Sequence, residues 1–382
     1  MKKDSLVIYL PSLASGGVER LFIGLAPLFV EAGFDVTFLL HRLEGSFASA
    51  LPREVRLATL ECNRTWGALL PLMRFLRREQ PDILISGLPH NNMISLWARL
   101  LARSSVRTIV CQQNTLSMES TFKKNFTYRI MPLLYRIFLR QADGIVASSD
   151  GVAKDLIAKM KLPRERIIVI HNAIVFPNFE KQMNAPVEHI WLQGDGPPVI
   201  LGIGRLVEQK DFITLIMAFA RLARQRNVRL IILGEGPLRA SLLTLAERLG
   251  VADRVSLAGF QKNPLPFMRR AAVLVMSSRY EGFGNVVAEA LACGTPVVST
   301  DCPHGPAEIL EQGRYGRLVP VGDADAMAQA IGETLDQPLP SGHLRHRGYE
   351  FTAQRAATAY MNLFNALLAE ESADEQYRRD AA

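Results

Sequence analysis

The sequence predicts an α/β protein built from two doubly wound, Rossmann-like parallel-sheet domains in succession. Short β-rich runs alternate with amphipathic helical runs along the chain, as a parallel sheet with crossover helices requires. An aperiodic stretch near the middle divides that alternation into two similar halves. With 382 residues and 48% apolar content, the chain can bury two ordinary cores, and one undivided domain of this length would be unusual.

In the first half, strands are expected at 5–11, 34–40, 82–86, 106–112, 143–148 and 166–170, separated by helical patterns near 18–32, 66–79, 91–103, 121–141 and 149–160. The second half repeats the rhythm, with strands near 198–204, 228–233, 254–259, 272–276, 295–300 and 315–319. Residues 173–197, rich in Pro, Asn, Gln and Gly, read as a linker between a domain of 1–172 and a domain of 198–350. A last helix is expected over 351–371, carrying Tyr360, Leu363, Phe364, Leu367 and Leu368, and a charged tail over 372–382. The deepest cleft should lie between the domains, and ligands should gather where loops leave the carboxyl ends of the strands.

Composition narrows the function classes. Cys62, Cys111, Cys293 and Cys302 are far apart and form no Cys-x-x-Cys pair, so neither a metal site nor a disulfide framework is expected and a reducing cytosol fits. Met1-Lys2-Lys3-Asp4 leads straight into the run Leu6 to Leu10, which does not read as a signal peptide. The apolar run Leu21 to Leu40 is broken by Glu31 and Asp35, so no membrane span is expected. The formal charge of +7 is unevenly spread: from Arg99 to Arg140 there are eight Lys or Arg against the single acid Glu119. The aromatic and basic residues within 122–140 suit either a helix with one buried face or an anionic membrane surface. No nucleic-acid reader motif accompanies the charge, so no nucleic-acid partner is expected.

Chemistry concentrates in Arg279 to Thr300. Glu281 stands beside the turn Gly282-Phe283-Gly284, and Glu289 lies about a turn and a half into the helical run that opens at Asn285-Val286. The turn's backbone N–H groups and the positive helix end would face an anion, while the two carboxylates meet separate hydroxyls of a polyhydroxylated ligand. Two glutamates eight apart are a weak signal alone, because surface helices supply such pairs. The surrounding text is specific: Tyr280-Glu281-Gly282-Phe283-Gly284-Asn285-Val286, then Ala292-Cys293-Gly294-Thr295-Pro296-Val297-Val298-Ser299-Thr300, then Asp301-Cys302-Pro303-His304-Gly305-Pro306-Ala307-Glu308. This order resembles the Glu-x7-Glu signature of the retaining glycosyltransferases of family 4, which have the GT-B architecture and use nucleotide sugars. The resemblance is strong from Val199 to Val319 and looser before it.

That resemblance implies roles for other motifs. Arg205 and Lys210, five apart across a strand-to-helix turn, would read alone as a solvated turn; the family places such a pair on the donor diphosphate, where Arg offers a planar fork and Lys a point charge. Gly234, in Gly234-Glu235-Gly236-Pro237, matches a loop lining the nucleotide, or is only a tight turn before a helix. Phe260 follows a strand where family members hold the base through backbone groups, and equally suits a core. Glu289 is expected on the ribose and Glu281 on the sugar ring. In the first domain, Gly16 and Gly17 match the family's Gly-Gly-x-Glu loop, which contacts donor phosphate and acceptor. His90, Gln113 and Asn114 are expected to line the cleft; many members carry His or Arg where this chain has Gln113.

The implied reaction is retaining transfer of a sugar from a nucleotide sugar, expected to be a UDP-linked hexose or N-acetylhexosamine, to a hydroxyl of a lipid-linked or surface-polysaccharide glycan. Glu281, Arg205 and Lys210 would be the catalytic groups, with no cofactor and no metal, since no Asp-x-Asp motif has a suitable context. A polyprenyl-diphosphate-linked acceptor and a peripheral place on the cytoplasmic face of the membrane fit this reading. A UDP-sugar 2-epimerase of the same architecture and a non-catalytic two-lobed sugar-binding protein are the alternatives.

Overall fold

A computed structural model describes residues 3–13, 16–44, 51–115 and 135–380, with side chains described as far as residue 370. The chain forms two compact units, Met1–Ala173 with Ala353–Ala382, and Ile174–Thr352. Each is a parallel sheet with helices on both faces.

The first unit holds strands β1 (Ser5–Leu10), β2 (Asp35–Leu40), β3 (Arg56–Thr59), β4 (Ile83–Ser86), β5 (Arg107–Gln112), β6 (Gly144–Ala147) and β7 (Ile167–Val169). Their order is β3-β2-β1-β4-β5-β6-β7. β1 pairs with both β2 and β4, Leu6 lying opposite Val36 on one side and Ile83 on the other. The strand order therefore reverses between β1 and β4, and the crevice beyond their carboxyl ends is the place where such sheets take ligands. Both strands are almost wholly buried, which explains their continuous apolar runs. Edge strand β3 was not expected from the sequence; its residues Arg56-Leu57-Ala58-Thr59 are exposed or half-buried and show no apolar run.

The second unit holds β8 (Val199–Ile203), β9 (Arg229–Leu233), β10 (Val255–Gly259), β11 (Val273–Met276), β12 (Val297–Thr300) and β13 (Arg317–Val319), in the order β10-β9-β8-β11-β12-β13. Here the reversal falls between β8 and β11, with Val273 opposite Ile200. The loops that leave β8 and β11 carry Arg205, Lys210 and Glu281, so the topology itself brings these motifs to one crevice.

Two expectations about the connecting segments are corrected. Residues 174–197 are not a free linker: Ile174, Phe179, Met183 and Val187 are buried in the core of the second unit, and Phe179–Met183 is a short helix. Aperiodic spacing hid these anchors among Pro and Asn. The charged stretch 372–380 is not a separate tail either, because the last helix runs unbroken over Ala353–Asp380. This helix belongs to the first unit, where Tyr360 and Phe364 pack against Phe22, Phe29 and Phe34. The helix expected over 121–141 falls mostly outside the described residues; 135–138 are helical. Among the described residues no helix is long and apolar enough to cross a membrane.

Candidate active site

Two loops of the second unit are tied into one body. The Arg279 amide donates to the Gln209 carbonyl at 2.8 Å, and the Gln209 side-chain amide donates to the Tyr280 carbonyl at 3.0 Å. The Ser277 hydroxyl donates to the Lys210 carbonyl at 2.8 Å. Asp211, buried and left-handed at φ +46°, accepts from the Thr214 hydroxyl at 3.0 Å and the Arg279 guanidinium at 3.2 Å. A third strand braces the second loop: the Thr300 hydroxyl donates to the Ser278 carbonyl at 2.6 Å.

On that frame Lys210 Nζ lies 2.5 Å from Glu281 Oε1, and the Ser278 hydroxyl donates to the same oxygen at 2.6 Å. Glu281 is only 6% exposed, so these two donors offset the cost of removing its charge from water. Both act on Oε1. The Lys210 stem runs over Gly204, where a side chain would press its methylenes at 3.1–3.2 Å. Arg205 is exposed, and among the described residues its guanidinium has no hydrogen-bond or ion-pair partner.

Three residues after Glu281, Gly284 takes φ +96° and starts the helix Asn285–Cys293. That left-handed turn suits glycine, which as the residue before the helix contributes no side-chain cap to its positive end. Gly305 is equally required, since a Cβ there would overlap the Phe283 carbonyl oxygen. Gly234, at φ +138°, would overlap the Gly204 carbonyl oxygen, which locks the loop after β9 against the loop after β8. Burial, then the Glu281 charge, pushes the neighbouring Cys302 thiol up to about 12, so it stays protonated and unreactive.

The expected donor residues differ in how far they are exposed. The Phe283 side chain is 2% exposed and packs on Phe351, so it belongs to the core and only its backbone faces the turn. Glu289 is half-buried, less deeply than Glu281. Gly282 is buried, while Asn285 and Val286 are half-buried in the first helical turn. Phe260 is 52% exposed, which removes the core alternative.

In the first unit, Gly16 is the start of the helix Gly17–Glu31, after β1. The Glu19 carboxylate folds back over Gly16, where a Cβ would collide with it. The phosphate contact expected there meets a resident carboxylate, whose pKa burial pushes up. His90 lies half-buried in the first turn of the helix Pro89–Ala102, after β4, and Gln113 and Asn114 lie half-buried after β5. Behind them sits a buried network. Asn92 accepts from the Ser86 hydroxyl at 2.7 Å and donates to the Cys111 carbonyl at 3.1 Å, and the Tyr135 hydroxyl donates to Gln112 Oε1 at 3.0 Å.

Ser278, Asp211, Asn92 and Tyr135 were not singled out by sequence. Asp211 had a signal in its position just before a helix; Ser278 had none, because a serine three residues from a glutamate is commonplace. Among the described residues no group of three or more His, Cys, Asp or Glu is placed to hold a metal ion.

Two Rossmann-like units, one with this cation–carboxylate pair at its switch point, define the GT-B class of glycosyltransferases. Residues 15–175 match the family Glycosyltransferase Family 4, and residues 197–337 match Glycosyl transferases group 1. The chain belongs to glycosyltransferase family 4 and is a glycosyltransferase. It is 32% identical over 359 residues to the lipopolysaccharide core biosynthesis glycosyltransferase LpsE of Rhizobium meliloti, covering 91% of this chain and 95% of that one. It is 30% identical over 349 residues to the N-acetylgalactosamine-N,N'-diacetylbacillosaminyl-diphospho-undecaprenol 4-alpha-N-acetylgalactosaminyltransferase of Campylobacter jejuni, covering 88% and 91%. In fold it is similar to Anabaena Alr3699/HepE in complex with UDP-glucose, with a TM-score of 0.76, 21% identity and coverage of 96% and 99%.

Proposed function

We propose that the protein transfers a sugar, with retention, from a UDP-linked hexose or N-acetylhexosamine to a hydroxyl of a lipid-linked or surface-polysaccharide glycan. The observation that carries this reading is the Lys210–Glu281–Ser278 unit beside the helix that starts at Gly284. When the diphosphate leaves, negative charge builds on its oxygens. Arg205, Lys210 and the amides at the start of Asn285–Cys293 are placed to stabilise that charge, which is the electrostatic task a divalent metal performs elsewhere. Glu281, with Oε1 engaged by two donors, presents Oε2 to the hydroxyls of the sugar ring, and Glu289 takes the ribose. The departing phosphate accepts the proton of the incoming hydroxyl, so no separate base is required. Gly234 and Phe260 line the nucleotide; His90, Gln113 and Asn114, with the loop at Gly16 and Gly17, are assigned to the acceptor.

The acceptor class is supported by the relatives, one acting in lipopolysaccharide core synthesis and one named for an undecaprenyl-diphosphate-linked substrate. Membership of a transferase family favours transfer over the epimerase and binding-protein readings. On this reading the enzyme works at the cytoplasmic face of the membrane, where such acceptors are carried. The test is a panel of UDP and GDP sugars with polyprenyl-diphosphate-linked acceptors, read by nucleotide release, product mass and anomeric configuration. Acceptor-dependent release of UDP with a retained anomeric centre is expected. Release from GDP donors alone, or an inverted product, contradicts the proposal.

A further inference from the structure

Residues 281–284 belong to no strand or helix, so the direction of the backbone N–H groups in this turn is set by what packs on it. Phe283 has two such neighbours. The Gly305 backbone abuts its carbonyl so closely that a Cβ at 305 would overlap the oxygen. The Phe351 ring stands edge-on to its ring, with centroids 5.3 Å apart and planes at 77°.

Both contacts lead to one side chain, Arg347, on the helix Ser341–Gly348. Its Nε donates to the Ile309 carbonyl and its Nη2 to the Glu308 carbonyl, each at 2.9 Å. These carbonyls end the one-turn helix Pro306–Ile309, where a helix leaves acceptors that need donors. The Ile309 amide donates back to the Gly305 carbonyl at 2.9 Å, so the guanidinium fork, the short helix and Gly305 form one link to the Phe283 backbone. A second link runs to the Phe283 ring, because the same guanidinium lies 5.0 Å over the Phe351 ring.

Arg347 has little left to offer a ligand. Its Nη1 pairs with Glu311 at 3.2 Å and with Glu350, so all three nitrogens are engaged by protein groups, and the side chain is 12% exposed. The helix that carries it also seats the helix Asn285–Cys293. A Cβ on Gly348 would overlap the Ala292 backbone, and one on Gly294 would overlap Ser341 Oγ.

We propose that Arg347 is a positioning residue for the diphosphate subsite. It touches no substrate; it fixes the Phe283 backbone through Gly305 on one side and Phe351 on the other, and with it the amides that open the helix Asn285–Cys293. The proposal rests on the reading of that turn as the place where the donor diphosphate is held. A residue that served only as a folding staple would not discriminate between ligands that carry a diphosphate and ligands that lack one.

The test titrates the full chain with UDP and with uridine, which has the same base and ribose and no diphosphate. Arg347→Lys keeps a charge beside Glu311 and Glu350 but cannot span two carbonyls as a planar fork. UDP affinity should fall about tenfold while uridine affinity stays unchanged. In turnover, kcat should fall with the KM for the acceptor unchanged. Without ligand, amide exchange should quicken across 282–287 and 305–310 and nowhere in the first unit. Glu311→Gln, which leaves the fork in place, should keep the wild-type ratio of the two affinities. Should Arg347→Lys not fold, Phe351→Leu, which withdraws the ring from Phe283, decides by the same ratio, with an expected loss of about threefold for UDP alone. A full preference for UDP in the folded variant, equal weakening of both ligands, or unchanged exchange overturns the proposal. A wild type that does not prefer UDP to uridine contradicts the diphosphate reading itself, and this proposal with it.

Discussion

Lys210 Nζ stands 2.5 Å from Glu281 Oε1, joining residues 71 apart in sequence across the switch point of the second sheet. In the proposed mechanism the pair would gather a cation for the leaving diphosphate and a carboxylate for the sugar into one contact. Lys210→Ala and Glu281→Gln should each lower kcat/KM for donor-dependent transfer by about 100-fold or more, while thermal unfolding stays cooperative. Steady-state nucleotide release checks this, and wild-type rates in either variant would remove these residues from the mechanism.

Ser278 is a positioning residue in this account, because its hydroxyl acts on the reaction only through Glu281 Oε1. Ser278→Ala removes one neutral-to-charged hydrogen bond and should reduce kcat about tenfold with little change in KM for the acceptor. Ser278→Thr keeps the hydroxyl and should restore most of the rate. Equal losses in both variants would mean that the side chain matters only for packing.

The fold was legible wherever a strand is buried on both faces. The runs around β1, β4, β8 and β11 are continuous in Val, Ile and Leu because both faces carry helices. β3 was not legible, since an edge strand half open to solvent needs no such run. The anchors Ile174, Phe179, Met183 and Val187 escaped for a different reason: they follow neither helix nor strand periodicity. At the site, local motifs pointed to Arg205, Lys210, Glu281 and the turn at Gly284. Which oxygen of Glu281 is engaged, and by whom, is set by strand order and was not readable from spacing. The side chain of Phe283 shows the converse limit, because a residue can stand in a motif for its backbone while its ring fills the core.

Because residues 174–197 are part of the second unit's core, they should contribute to its stability. Phe179 is 3% exposed and sits edge-on to Tyr349. Phe179→Ala should cost about 3 kcal/mol in chemical denaturation of the second unit. A change within roughly 0.5 kcal/mol, typical of an exposed position, would restore the linker reading.

Acid should weaken the first unit through a buried pair away from the site. The Tyr9 hydroxyl and His41 Nε2 are 2.8 Å apart, and burial holds the His41 pKa below its ordinary 6.5. A folded value below the unfolded one means that His41's contribution is fully present above pH 6.5 and is lost as pH falls through the folded value. The melting temperature should therefore drop below pH 6.5, and His41→Gln should shrink that drop. His189, also held low by burial, acts in the same direction in the second unit and persists in the variant. Identical pH profiles for the two proteins would exclude His41 as a source.

The central claim is that the second unit grips a sugar nucleotide by its diphosphate at Arg205 and Lys210. Calorimetric titration with UDP, comparing the wild type with the Arg205→Ala, Lys210→Ala double variant, tests it most directly. Binding by the wild type and a loss of about 100-fold or more in the double variant is the expected result. Equal affinity in the two proteins, with both folded, would contradict the account.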